Sequence, residues 1–309
     1  MEIKITVLTP AYNRARLLPR LYESLQKQNY ADFEWVIVDD GSTDDTKSVV
    51  QGFVDDCPFP IHYYYKENGG KHTAVNLGVK KAKGELVFIA DSDDMLTPEA
   101  LQTVAEEYAQ VAEDNSFCGV CGLDCDLSGK IIGSGLKQEW IDANAVQLRT
   151  RYGVTGDLKE VFKTSVLKEF PFPEIPGERF CPEALVWNRI ARKYKLRYFN
   201  RPIYQVEYQV EGLTSNIVRI RMQSPIASMM TYAEMVGLDI PWRQKMKAAI
   251  NYYRFKACLS AKHASEVGCS IPALSPSWHW TKPLGLLMHI KDTKGKNDRK
   301  KAYSLSRPH

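Results

Sequence analysis

The amino-acid sequence predicts an α/β fold: a mostly parallel sheet flanked by helices, with a helical extension at the C-terminal end. Three observations carry that prediction. Short β-branched apolar runs alternate with helix-like stretches through the first 125 residues, as expected for strands covered on both faces. Polar and acidic residues collect where the apolar runs end. After residue 125 the rhythm breaks, and the chain turns proline-containing and then helical.

The strand-like runs are "IKITVLT", "FEWVIVD", "IHYYYK", "ELVFIAD" and "FCGVCGL". Between them lie helix-like stretches at 15–28, 43–56, 71–83 and 97–110. Thr97-Pro98-Glu99 places a capping residue before a first-turn proline. Thr43 to Thr46 offers several caps beside acidic residues. Further on, "DLSGKIIGSG" predicts a hairpin and "PFPEIPGERFCPE" a loop. "EALVWNRIARKY" predicts an amphipathic helix, followed by a strand in "LRYFNRPIYQVEYQ". Residues 214–265 read as two long helices. The expected domains are therefore 1–212 and 213–309, the first with halves 1–125 and 126–212.

Composition bounds the function. The chain has 309 residues, 44% hydrophobic and 25% charged, enough for a sizeable core. A net charge of +4 is too small by itself to argue for nucleic acid, and none is expected as a partner. Residues 280–309 hold eight Lys/Arg against two Asp, so the basic character lies in the tail. Next to Trp278, Trp280 and "LGLLMHI", that tail suits peripheral docking on anionic lipid, with a solvated tail as the alternative. No apolar run approaches the roughly 18 residues of a membrane span. The N-terminal "MEIKITVLTP" does not read as a leader, and seven cysteines is an odd count. The expected setting is the cytoplasm with reduced thiols, at most peripheral to the inner face of a membrane.

In an open parallel sheet, ligands bind outside the carboxyl ends of the strands. Four polar loops fall there: Thr9 to Arg14, Asp39 to Ser42, Glu67 to His72, and Asp91 to Asp94. Each has an ordinary structural alternative as a turn or helix cap. Their convergence on one edge favours a site. Carboxylates are hard ligands suited to Mg²⁺ or Mn²⁺, and Mg²⁺ takes one or two of them and fills its shell with water and phosphate. Aspartates at i and i+2 divide the work between a cation and a hydroxyl, so a nucleotide diphosphate is the implied ligand. Cys118, Cys121 and Cys125 invite a zinc reading, but "FCGVCGL" reads as a buried strand and no fourth ligand is evident. His62 and His72 have no partner visible in sequence.

Together, "TVLTPAYNR", "WVIVDDGSTDDT", "ENGGKHTAVNLG" and "VFIADSDD" resemble the family 2 glycosyltransferases of the GT-A fold, over residues 3 to about 100. The resemblance implies a nucleotide-sugar donor, a glycan or lipid-linked acceptor, a Mn²⁺ or Mg²⁺ ion, and inversion at the anomeric carbon. Residues 1–125 would then form the nucleotide-binding half and 126–212 the acceptor side. By motif, Thr9, Pro10 and Tyr12 would line the nucleotide and Asp40 would bond the base. Lys71 would lie near the nucleotide, Asp91 and Ser92 would face it, and Asp93 would ligate the metal. Many relatives carry an acidic pair before a helix ending in an aromatic and an arginine. Here Pro182-Glu183 precedes Trp187 and Arg189, which aligns Glu183 with the catalytic base while Pro182 replaces the first acid. Glu178 is the reserve. "EYQVEGLTSN" resembles the family's later loop near the donor phosphates. Two alternatives stay open: a nucleotidylyltransferase, which would usually carry a glycine-rich basic loop after the first strand, and a non-catalytic nucleotide-sugar-binding protein.

Overall fold

The computed structural model describes residues 4–54, 57–207, 213–260, 265 and 273–305, with backbone only for 213–215 and 295–305. The "EYQVEGLTSN" loop lies largely outside the described residues. The chain folds as two units: Met1–Phe172 with Val186–Gly212, and Pro173–Leu185 with Leu213–His309. The proline-rich segment thus groups with the C-terminal helices, where a boundary at residue 212 would leave it in the α/β half.

In the first unit, β1 (Ile5–Ala11), β2 (Phe33–Asp39), β3 (Ile61–Tyr65) and β4 (Leu86–Ile89) run parallel in the order β3-β2-β1-β4. β1 and β2 are buried at every residue, which is why they read as unbroken apolar runs. β3 lies at the sheet edge and is only half-buried. Between them lie α1 (Leu18–Gln26), α2 (Thr46–Val54) and α3 (Lys71–Lys81), and α4 (Ala100–Ala109) comes after β4. Tyr22 of α1 stacks on Phe53 of α2 at 4.3 Å over the buried Trp35, covering one face of the sheet. On α3, a Cβ at Gly78 would collide with Leu8 of β1, so glycine is what lets this helix pack so close.

The helix starts differ in detail from the sequence reading. Asp44 accepts from the Thr46 backbone and hydroxyl, at 3.1 and 2.5 Å, and opens α2. Thr97 does not cap α4: its hydroxyl donates to the Pro202 carbonyl instead, and the helix begins at Ala100.

Beyond β4 the sheet is mixed. β5 (Met95–Leu96), β6 (Phe117–Cys125), β7 (Trp140–Ala143), β8 (Leu158–Lys163) and β9 (Lys195–Gln205) complete it. β8 sits between β4 and β6, antiparallel to both, and β9 runs parallel to β6. Periodicity reveals a strand but not its direction or neighbour, so this insertion was invisible in the sequence. Cys118, Cys121 and Cys125 are all buried in β6, and burial pushes the Cys118 thiol up to about 12. The expected hairpin at 126–135 is a turn held by the Asp126 carboxylate, with a single bridge between Cys125 and Ile131. Short α5 (Ala145–Thr150) and α6 (Thr164–Glu169) follow, then α7 (Glu183–Ala191).

The second unit contains α8 (Leu213–Gln223), α9 (Pro225–Val236), α10 (Trp242–Lys256), a 3₁₀ turn at Pro276–Thr281 and α11 (Lys282–Leu305). Two long helices were expected over 214–265, but Pro225 divides the first. Proline cannot continue a helix hydrogen-bond ladder, yet it suits a first turn, and it opens α9. Met229, Ala249, Tyr252 and Phe255 form this unit's core. Among the described residues no helix is long and apolar enough to cross a membrane.

Candidate active site

The loop after β1 turns on Asn13, the one non-glycine described residue in the left-handed region, at φ 54°. Asparagine tolerates that conformation, and here both of its ends are used. Its backbone N–H donates to Ser42 Oγ at 2.8 Å, and its Oδ1 accepts from Thr43 N at 2.8 Å. Arg14 then ties this loop to two others: its N–H donates to Thr46 Oγ1 at 2.9 Å and its Nε to Ser92 Oγ at 3.1 Å. The loops after β1, β2 and β4 are thereby clamped together. Tyr12, between the strand and this clamp, is 46% exposed.

The two aspartates ending β2 are both buried and both committed to the framework. Asp39 accepts from Ser42 N at 2.7 Å and Tyr63 Oη at 2.5 Å. Asp40 accepts from Lys66 Nζ and Gly70 N, each at 2.7 Å, and from Gly69 N at 2.9 Å. Gly70 can take part because its φ of 99° turns its N–H back toward Asp40 as α3 begins. Three donors leave this carboxylate little remaining capacity, since it offers about four acceptor sites.

The aspartate cluster after β4 divides into three roles. Asp91 Oδ1 lies 2.6 Å from Lys71 Nζ, at the start of α3. Burial pushes the Asp91 carboxyl up, but Lys71, Lys159 and Arg14 together outweigh it and hold the group below the usual carboxylate range. Asp93 is half-buried and makes no hydrogen bond or ion pair with a described residue. Asp94 is buried. It bonds Tyr204 and accepts from Glu207 N at 3.3 Å, joining the end of β4 to β9. Burial, with Asp91 and Asp93 nearby, raises it to about 7. Tyr204 also accepts from Asp91 N at 2.6 Å.

Lys159 on β8 is the cation that makes this packing tolerable. It donates to the Ile89 carbonyl at 3.2 Å, lies 3.5 Å from the centre of the Tyr204 ring, and lowers Asp91, Asp94 and Asp124. Asp124, near the end of β6, is buried with Oδ1 unpaired; burial raises it to about 6. Nothing in the sequence distinguished Lys159 or Asp124. Lys66 and Tyr204 were likewise missed, and Arg14, inside the first polar loop, was given no role.

The sequence-predicted donor residues therefore fall into two groups. Tyr12, Lys71, Asp91 and Asp93 keep side-chain surface. Thr9, Pro10, Asp40 and Ser92 are buried. Thr9 is fully enclosed, with its hydroxyl accepting from Trp35 Nε1 at 2.9 Å. A strand-end hydroxyl looks the same in sequence whether it faces a ligand or the core.

Glu183 is the exposed first residue of α7. One turn later Trp187 packs against Phe162, tilted, at 4.6 Å and against Phe172, edge-on, at 5.6 Å. The reserve, Glu178, is corrected: it is buried, and its two oxygens accept from Ile226 N and Ala227 N at 2.7 and 2.9 Å, capping α9. Among the described residues, no three His, Cys, Asp or Glu side chains are grouped to hold a metal ion. Asp93, half-buried and bonded to no described residue, still fits a cation whose remaining ligands are water and phosphate oxygens.

Residues 6–125 match the glycosyl transferase family 2 model. The GalNAc(5)-diNAcBac-PP-undecaprenol β-1,3-glucosyltransferase of Campylobacter jejuni is 33% identical over 230 residues, 70% of each chain. The chain belongs to the family 2 glycosyltransferases. Solved structures agree on the GT-A fold. Staphylococcus aureus TarS 1–349 in complex with UDP-GlcNAc superposes with a TM-score of 0.61 at 18% identity, over 95% of this chain and 92% of that one. The mannosyltransferase PcManGT of Pyrobaculum calidifontis, in complex with GDP-Man and Mn²⁺, gives 0.55 at 19%, over 94% and 87%. For this family 2 glycosyltransferase, the match spans β1 to β6, which includes the three clamped loops and the loop after β3.

Proposed function

We propose that this glycosyltransferase moves a sugar from a UDP-linked donor to a hydroxyl of a glycan or lipid-linked acceptor, with inversion, in building a surface glycan. The observation that carries the reading is the Lys71–Asp91 pair, with Asp93, which bonds no described residue, two positions on at the carboxyl edge of the sheet. Supporting it are the undecaprenol-linked acceptor of the Campylobacter relative and the UDP-GlcNAc held by TarS. The free thiols among the described residues suit a reducing cytoplasm.

In this reading Tyr12 and Lys71 meet the donor, and Asp91 takes the ribose hydroxyls as Lys71 turns toward phosphate. Thr9, Pro10, Asp40 and Ser92 act behind them, holding the loops that place the anomeric carbon. The Asp93 carboxylate would hold Mg²⁺ or Mn²⁺, whose chemistry there is to neutralise charge building on the leaving diphosphate. Glu183 takes the acceptor proton while the acceptor oxygen attacks the face opposite the diphosphate. The acceptor oxygen–carbon bond forms as the carbon–phosphate oxygen bond breaks, and no sugar–enzyme bond is made.

The test is release of nucleoside diphosphate from a panel of nucleotide sugars with lipid-linked and free glycan acceptors. Calorimetry of UDP with Mn²⁺ or with EDTA, on wild type and Asp93→Ala, runs beside it. Cation-dependent UDP affinity that Asp93→Ala abolishes supports the metal assignment; equal affinity in both buffers sinks it. Donor binding with no turnover on any acceptor would leave a binding protein on a glycosyltransferase fold.

A further inference from the structure

Exposed large apolar side chains concentrate in one place, on the second unit. Trp242, Trp280, Leu286, Leu287, Met288 and Ile290 are all exposed, and Leu287 reaches 63%. The two tryptophans stack with centroids 6.3 Å apart and planes 12° from parallel. The sequence pointed to Trp278 and Trp280; the structure packs Trp278 against the unit's core and puts Trp242 in its place at the surface.

Helical geometry explains why these residues have no cover. α11 packs on α10 through Gly285, His289 and Asp292, at the i, i+4, i+7 spacing of one face. Gly285 meets Ile250 and Tyr253, His289 Nδ1 lies 3.4 Å from Cys258 Sγ, and Arg254 grips Asp292 at 2.6 and 2.8 Å. The opposite side, carrying Leu286, Leu287 and Ile290, faces away from α10. An amphipathic helix normally puts polar residues there. Here the outward side is apolar for two turns, then gives way to exposed Lys291 and Lys294 and to the basic sequence that follows.

Charge identifies the occupant. Lys282, Lys291 and Lys294 are exposed along α11, and Arg243 and Lys247 are exposed on α10 beside Trp242. Asp292, the one acid of α11 whose side chain is described, is neutralised by Arg254. A second copy of this face would bring like charges together, whereas an anionic surface with an apolar interior complements both parts of it.

We infer that this face docks the protein on an anionic lipid bilayer. Trp242, Trp280 and the outward side of α11 enter the headgroup boundary, and the lysines beyond them hold the lipid phosphates. The docking is independent of the transfer chemistry: it stands or falls on lipid binding.

The experiment is co-sedimentation of the full chain with vesicles of phosphatidylglycerol and phosphatidylethanolamine, against vesicles of phosphatidylcholine alone, at low and high salt. Binding should require the anionic lipid and weaken with salt. Trp280→Ser with Leu287→Gln, and separately Lys291→Glu with Lys294→Glu, should each lower partitioning by about tenfold or more. Their Tm and UDP affinity should match wild type. The charge-reversed pair lies at exposed positions, so it reports even if the apolar pair folds poorly. Failure to bind phosphatidylglycerol vesicles at low salt, or variants that bind like wild type, would overturn the inference. So would patch-dependent dimers, seen by light scattering, without vesicle binding. None of these outcomes bears on turnover with soluble substrates, so the transferase reading is judged separately.

Discussion

Lys71 Nζ lies 2.6 Å from Asp91 Oδ1, joining the first residue of α3 to the loop after β4. Both side chains are 34% exposed, so the bridge is accessible to a ligand that would replace either partner. That exposure also limits its structural value to about 1 kcal/mol or less.

Lys71→Met should therefore cost little stability but weaken UDP affinity by about tenfold or more, the scale of one charge-assisted hydrogen bond. The acid limb should change as well. The folded-state Asp91 carboxyl lies below its unfolded value, so its stabilisation is present above about pH 4 and is lost as pH falls through the folded value. Without Lys71 that contribution shrinks, and the Tm curves of variant and wild type should converge once pH falls below the folded value. Unchanged UDP affinity by calorimetry would remove Lys71 from the donor site.

Asp124 has the opposite sign. Its folded-state carboxyl is raised to about 6 by burial, with Lys159 opposing. Between its unfolded value, about 4, and 6 the folded state binds the proton more tightly, so stability falls as pH rises through that window. Asp124→Asn should remove this part of the slope and raise stability above pH 6 by about 1–3 kcal/mol. Asp94, raised to about 7 by burial, should leave a residual decline. Tm measured from pH 4 to 8 decides it; parallel curves would return Asp124 to the ordinary carboxylate range.

Thr9 separates a framework role from a ligand role. Its hydroxyl accepts from the buried Trp35 Nε1 at 2.9 Å. Thr9→Val keeps the shape and strands the indole N–H, which should cost about 1–3 kcal/mol in urea unfolding. Donor affinity of the folded fraction should stay at the wild-type value. A selective loss of affinity at unchanged stability would bring Thr9 back to the nucleotide.

The parts of the site that were legible in sequence are those where chemistry coincides with a strand end. Asp91, Asp93 and Lys71 follow the runs "LVFI" and "IHYYY", and local pattern suffices to place them on one edge. What was not legible depends on distant partners. Lys159 is one lysine in a half-buried strand, and its meaning comes from β8 entering antiparallel beside β4. Asp40 and Asp91 look alike as acids after apolar runs; a loop 26 to 30 residues away closes over Asp40, while Asp91 keeps surface. Glu178 and Glu183 both sit in one proline-rich segment, and what separates them is the first turn of α9, which captures Glu178.

That capture leaves Glu183 as the base to test. A hydroxyl is a poor nucleophile near neutral pH, so the acceptor needs a proton acceptor on its attacking side. Asp39, Asp40 and Asp94 are buried and bonded to the framework, and Asp91 is held by Lys71. Asp93 is assigned to the cation. Glu183 is exposed, opens α7 and matches the position of the family's base by motif. Glu183→Gln keeps size and hydrogen bonding but removes basicity. Its kcat should fall by about 10²–10⁴-fold, the usual worth of general-base help, with UDP affinity and Tm near wild type. The product of wild type should show the inverted anomer by NMR. Near-normal turnover in Glu183→Gln would assign the proton to another group, and a retained anomer would rule out direct displacement.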